Sequence, residues 1–468
     1  MTRFDDTWYN DYRRHLLTAT SHRETHHFRE VAMIRQGTTH APNRNESDSL
    51  DEVLKKLAPR HAGAVRGHMQ FYRACLETIG IVPADAVMRS AVVIEWLWYS
   101  TPFKKFYRDH LAHVQKVTAL ADFLVADKSS PLVRDDQTAL QWIGKEMADG
   151  TLGAAELRAA ARRHGAAEVD HPDLQVRADF WSSALRTTLR IAGLLHDMAY
   201  PSVMAYKVQK MAEPNSPFPP IDSLHDVRFA EDLELLKSSL AFLPLRGMDS
   251  HDEKAVVAQL LNTSHSVQGA LRVLKYTLEH DRQWRLSAFE SFCVDWAAHA
   301  ILLHDFDKAY DEALNSPPPA KDQSPKQRWY AELKKDPDRL NRLRPTFTTD
   351  PASYLLALAD QLQDFGRLNY VTNSSEGVDR SVLEARFPFD AVSLSVNNRV
   401  ASIDFSLSTI KPTTGTRVDD DLKAEQQYAG GLKEESLPGI FTGSAGKNSW
   451  MDHSGLFTSV EAKVLNLP

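Results

Sequence analysis

Cysteine is nearly absent: the 468 residues contain two, Cys75 and Cys293. They lie far apart and neither belongs to a CxxC pair, which excludes a disulfide scaffold and a thiolate zinc site and fits a reducing compartment. Long apolar runs are missing as well. None reaches the roughly 18 residues that span a bilayer; the nearest, Ala91 to Trp98, is short and carries Glu95. The first residues hold Asp5, Asp6 and Arg13 and no apolar stretch, unlike a signal peptide. These absences predict a cytoplasmic protein with no membrane partner. Nor is there an excess of positive charge. Lys and Arg number 55 against 62 Asp and Glu, a formal charge of −7. That argues against a protein coating nucleic acid non-specifically, although a local basic groove is compatible with it and nucleic acid is not excluded. No internal repeat is visible, and nothing in the sequence fixes an oligomeric state.

The rest of the composition is that of a globular chain, 43% hydrophobic and 25% charged, long enough for two or three structural units. Residues 1–47 are polar, with His22, His26 and His27, and read as a flexible arm. Over 48–379 apolar residues recur at helical spacing, in 66–80, 108–125, 181–195, 228–242, 255–278 and 287–303. Pro214–Pro220 and Ser316–Pro319 break the pattern, and 316–346 reads as an exposed excursion between helices. Beyond 380 the character changes. Val392–Leu407 alternates about Asn397-Asn398, as a hairpin would, and 418–427 reads as a helix stopped by Gly430-Gly431. The expected fold class is mainly α, with a small α+β region over 380–468.

Several of the 19 histidines fall inside apolar helical patterns, where an unpaired polar ring is costly. Leu194-Leu195-His196-Asp197 ends one such run, with Pro201 just beyond. His113 lies in an amphipathic run behind Arg108-Asp109-His110, and His265 precedes an apolar helix. Ala297-Ala298-His299-Ala300-Ile301-Leu302-Leu303-His304-Asp305 puts two histidines on one helix. Asp360 sits within Leu355–Asp360, and a carboxylate in an aliphatic run needs a partner. A neutral imidazole offers one lone pair and a carboxylate two oxygens that can bridge two ions.

This order, H…HD…H…H…D over residues 105–370 and closing in Leu-Ala-Asp-Gln-Leu-Gln-Asp-Phe-Gly-Arg367, resembles the HD superfamily of metal-dependent phosphohydrolases. The resemblance implies an HD-type helical bundle. His113, His196, Asp197 and Asp360 would hold one divalent ion; Asp197 would bridge to a second, held by His265 and by His304 or His299. His299 lies about 140° around the helix from His304, and His225 is the reserve candidate. Such a set suits Mn, Fe, Co, Ni or Zn, with Mg possible. The implied chemistry is hydrolysis of a phosphoester or nucleotide, as a phosphodiesterase or phosphatase, by metal-activated hydroxide attacking phosphorus. His110 would supply a proton, and Lys116, Lys207 and Arg367 would bind the phosphate. The strings expected of dNTP triphosphohydrolases upstream of the first histidine are missing. So is the Gly-Tyr-Pro of cyclic-di-GMP phosphodiesterases, since Asp305-Phe-Asp-Lys308 follows His304. The alternatives are a metal- or nucleotide-binding sensor module and a di-iron oxygenase.

Overall fold

The helical periodicity predicts several of the helices seen in the computed structural model. It describes residues 1–17, 62–81, 110–200, 264–284, 286–305, 325–337, 344–363, 389–407 and 455–465, with shorter pieces at 84, 87–88, 238–240, 310, 313–315, 318, 340, 365, 368–371, 383–386 and 451. The chain is mainly helical with a small four-stranded sheet. Among the described residues no helix is long and apolar enough to cross a membrane. Two compact units emerge, one of Met1–Thr78, Ala91–Ala139 and Leu358–Pro468, the other of Ile79–Ser90 and Leu140–Ala357.

The first unit draws on both ends of the chain. Its sheet is ordered β1 (Thr2–Phe4), β4 (Phe389–Asn397), β5 (Val400–Leu407) and β6 (Ser459–Leu465). Neighbours run antiparallel except β5 and β6, which are parallel; β2 (Leu368–Val371) and β3 (Leu383–Arg386) pair separately. The expected hairpin is present, with its turn at Asn398-Arg399, one residue past the expected midpoint. Both residues have positive φ, 48° and 65°, the conformation that matches a two-residue turn to strand twist.

Residues 1–17 are not a free arm. After β1, Asp5 caps α1 (Asp6–Tyr12) by accepting from the Trp8 amide. The buried side chains Phe4, Tyr9, Tyr12 and Leu16 anchor the segment. Sequence polarity misled here because these few aromatics are spaced among charged residues that stay outside. His22, His26 and His27 lie outside the described residues.

Also in this unit are α2 (Ala62–Ile79) and α3 (His110–Ala126). Helix α3 is buried on every side from His110 to Val125, so its polar groups need internal partners. Tyr9 and Tyr12 donate hydroxyls to Gln115 and Asp122, and the Lys116 ammonium pairs with Asp6 Oδ1 at 2.7 Å. The N-terminal helix thus satisfies the polar face of α3.

The second unit is helical: α4 (Ala139–Asp149), α5 (Ala155–Arg163), α6 (Leu174–Leu195), α7 (His265–Trp284), α8 (Ala288–Leu303) and α9 (Pro325–Leu333). Asp173 caps α6, and Ser287 with Glu290 forms a capping box on α8. Helix α8 packs against α6 and α7, around Phe180, Trp181, Phe292 and Trp296, whose rings meet largely edge to face. The stretch 316–346 is not wholly an exposed excursion, since α9 buries Trp329, Tyr330 and Leu333. Helix α10 (Pro351–Leu362) runs from the second unit into the first. Residues 380–468 therefore cluster with α2, α3 and the N-terminus, and the expected cut at 379 does not separate compact units. The helix expected over 418–427 lies outside the described residues.

Candidate metal centre

Helices α6 and α8 each end at a histidine. His196 follows Leu195 and His304 follows Leu303, both with αR backbone, so each ring sits where unpaired helix carbonyls leave partial negative charge. Both rings are oriented alike. His196 Nδ1 lies 2.8 Å from the Gly193 carbonyl and His304 Nδ1 2.6 Å from that of Ile301. A carbonyl only accepts, so each Nδ1 carries the hydrogen and each neutral ring presents its Nε2 lone pair.

His265 opens α7 and faces them. Its Nε2 is 3.2 Å from His304 Nε2 and 3.7 Å from Asp197 Oδ1, and the Tyr200 ring stacks on it at 4.4 Å. His196 Nε2 is 3.6 Å from the same Asp197 oxygen. Close approach of α7 depends on Gly269, where a Cβ would stand 3.1 Å from both the His196 carbonyl and Ile301 Cγ2. Asp197, His265 and His304 offer ligand atoms all within 4.8 Å of one another, with Asp197 and His304 buried.

This donor set fits a divalent metal ion. Ligand atoms about 2.0–2.1 Å from an ion, at angles of roughly 90–120°, lie about 2.9–3.6 Å apart. The His265–His304 spacing of 3.2 Å falls inside that range and the two Asp197 contacts at its edge. Two imidazole nitrogens facing each other require a proton or a cation between them, and the carboxylate favours positive charge there.

In the first unit, His113 and Asp360 meet. His113 Nε2 is 3.0 Å from Asp360 Oδ1, and His113 Nδ1 hydrogen-bonds Gln363 Oε1. Both histidine and glutamine are buried.

Helix α8 separates its two histidines. His299 is not with Asp197 and His265: its Nε2 lies 3.3 Å from Asp350 Oδ2, on another face of the helix. Asp350 also accepts from Trp296 Nε1 at 2.9 Å, from the Ser353 hydroxyl, and from the Ser353 amide as the cap of α10. Burial pushes its carboxyl up, but the hydrogen bond and charge of His299, with the Ser353 and Trp296 donors, outweigh it and hold the group below its ordinary value. Of the two, His304 is the one that stands beside Asp197 and His265.

Lys116 does not stand ready for a phosphate. Its ammonium is buried against Asp6 and lies over the Phe365 ring, 5.4 Å from the centroid. His110, expected to supply a proton, is buried at the first turn of α3. Lys207, His225 and Arg367 lie outside the described residues. Sequence reasoning missed Gln363 and Asp350. Gln363 lies three residues past Asp360, on the same helical face, and Asp350-Pro351 is a cap followed by a first-turn proline; both signals were present. The chain matches no family model, no curated protein and no solved structure.

Proposed function

We propose that this protein is a metal-dependent phosphohydrolase acting on a phosphoester or nucleotide, with Asp197, His265 and His304 at the heart of its metal site. The observation that carries the reading is that triad, two of its three members buried, with His265 and His304 nitrogens 3.2 Å apart beside a carboxylate. The order of the chain supports His196 as a further ligand there, and His113 with Asp360 as ligands in the first unit. Nitrogen-rich donors favour Mn²⁺, Fe²⁺, Co²⁺, Ni²⁺ or Zn²⁺ over Mg²⁺. When bound, such an ion supplies Lewis acidity that makes water nucleophilic at neutral pH and neutralises charge on a phosphoryl group. The protein's part is orientation. Gly193 and Ile301 carbonyls hold His196 and His304 with Nε2 inward, and the Tyr200 ring fixes the plane of His265.

The test pairs elemental mass spectrometry of protein purified without chelator with hydrolysis assays on aryl phosphomonoesters, phosphodiesters and a nucleotide panel. Wild type should carry one to two equivalents of a transition metal and hydrolyse at least one class. Asp197→Ala should lose metal and activity while its circular dichroism stays helical. Metal retained in that variant would overturn the site, and metal without any phosphohydrolysis would move the function to a binding module.

A further inference from the structure

The clearest feature left unused by that reading is a fully buried glutamine just past α10. Gln363 has no exposed surface, and a buried side-chain amide is costly unless both its ends are satisfied. Its Nε2 donates to the Phe365 carbonyl at 3.0 Å. Because that carbonyl can only accept, the amide orientation is set, and Oε1 is the end that faces His113 Nδ1. An amide oxygen only accepts, so His113 Nδ1 must carry a hydrogen.

The anchor for this arrangement is itself well held. Phe365 is buried, bridges Phe389 of β4, and meets the Trp8 ring at 6.4 Å. Its carbonyl is therefore placed by the sheet and the N-terminal helix.

We propose that Gln363 is a positioning residue. It holds His113 with Nδ1 protonated, so that Nε2 points with its lone pair toward the side where Asp360 Oδ1 stands 3.0 Å away. This rests on His113 and Asp360 being metal ligands as proposed above. A lone pair facing a carboxylate oxygen is unfavourable alone and favourable with a proton or a metal ion between them, so the amide makes Nε2 the end of the ring that meets either one.

Two readouts separate this inference from the functional reading. The first is ¹⁵N NMR of metal-free, histidine-labelled full-length protein, with the His113 signals identified by their loss in His113→Asn. The second is titration with Co²⁺ alone, followed by visible absorption. Wild type should show His113 Nδ1 protonated. Gln363→Leu should release it into a mixture of forms and weaken Co²⁺ binding by about 10–100-fold. Gln363→Glu, which still accepts from Nδ1, should recover most of the affinity, which a merely space-filling role would not produce. His113 with Nδ1 bare in wild type, or unchanged ring and affinity in Gln363→Leu, would overturn the proposal. If wild type takes up no Co²⁺ yet the NMR behaves as expected, the positioning stands and the metal-dependent function falls.

Discussion

His299 and His304 show how differently two histidines of one helix can be partnered. Both are buried on one apolar helix, five positions apart, yet one stands beside His265 and Asp197 and the other pairs with Asp350. The His299–Asp350 pair makes a prediction of its own. A carboxyl held below its ordinary 3.8 stabilises the fold fully above that pH, and the contribution is lost as pH falls through the depressed value, because the unfolded chain binds the proton more readily. Asp350→Asn should therefore be less stable than wild type by about 3 kcal/mol at neutral pH, with the gap shrinking as the solution is acidified below about pH 4. Urea unfolding at pH 7 and pH 3 measures it; a gap of equal size at both would sink the account. The same variant should match wild type in metal content. Only part of this was legible from residues alone. A histidine's spacing says which side of the helix it faces, whereas its partner Asp350 is set by a turn whose only sequence signal is a cap.

At the scale of elements, α3 carries the most consequence. Its sequence, His110–Ala126, reads as an ordinary amphipathic helix, and its position was legible to within two residues. Its surroundings were not, because burial on every side needs a second layer, and that layer begins in residues 1–17, whose composition resembles a solvated tail. Phe4 joins the layers. It is fully buried, its ring meets Trp8 at 4.9 Å and Phe123 of α3 at 5.7 Å, and its backbone pairs with Val392 of β4. Removing that ring takes away packing between strand and helix at once, and Phe-to-Ala changes in well-packed cores cost about 3–5 kcal/mol. Phe4→Ala should therefore melt several degrees lower than wild type and lose protection of the α3 amides in hydrogen exchange. Unaltered exchange in α3 would show that the N-terminal segment merely lies alongside it. The helices that were not anticipated, α4, α5 and α9, are short, at 11, 9 and 9 residues, so each offers too few apolar positions to stand out in a long chain.

At the scale of the whole chain, the change of character after residue 380 suggested an appendage, and composition does change there. Contacts divide the molecule differently, because strands are completed by partners remote in sequence. Strand β1 has only β4 as its neighbour in the sheet order, Phe365 bridges Phe389, and the compact unit that holds α3 takes in Leu358–Pro468. A chain ending at residue 379 would keep α1, α3 and α10 but strip β1 of its ladder and Phe365 of its bridge, leaving unpaired backbone groups and an apolar layer facing water. The buried Phe389, Val392, Leu394, Ile403 and Phe405 would be lost together, and at about 1.5–3 kcal/mol for each large side chain buried that is comparable to the whole margin of a typical fold. The truncated chain should accordingly expose α3 to protease and lose its cooperative thermal transition, while the full chain resists both. Limited proteolysis with circular dichroism melting decides it: a 1–379 piece that melts as sharply as the full protein, with α3 still protected, would make the sheet a separable addition. In the arrangement seen here it is instead the floor on which Gln363, and through it His113, is set.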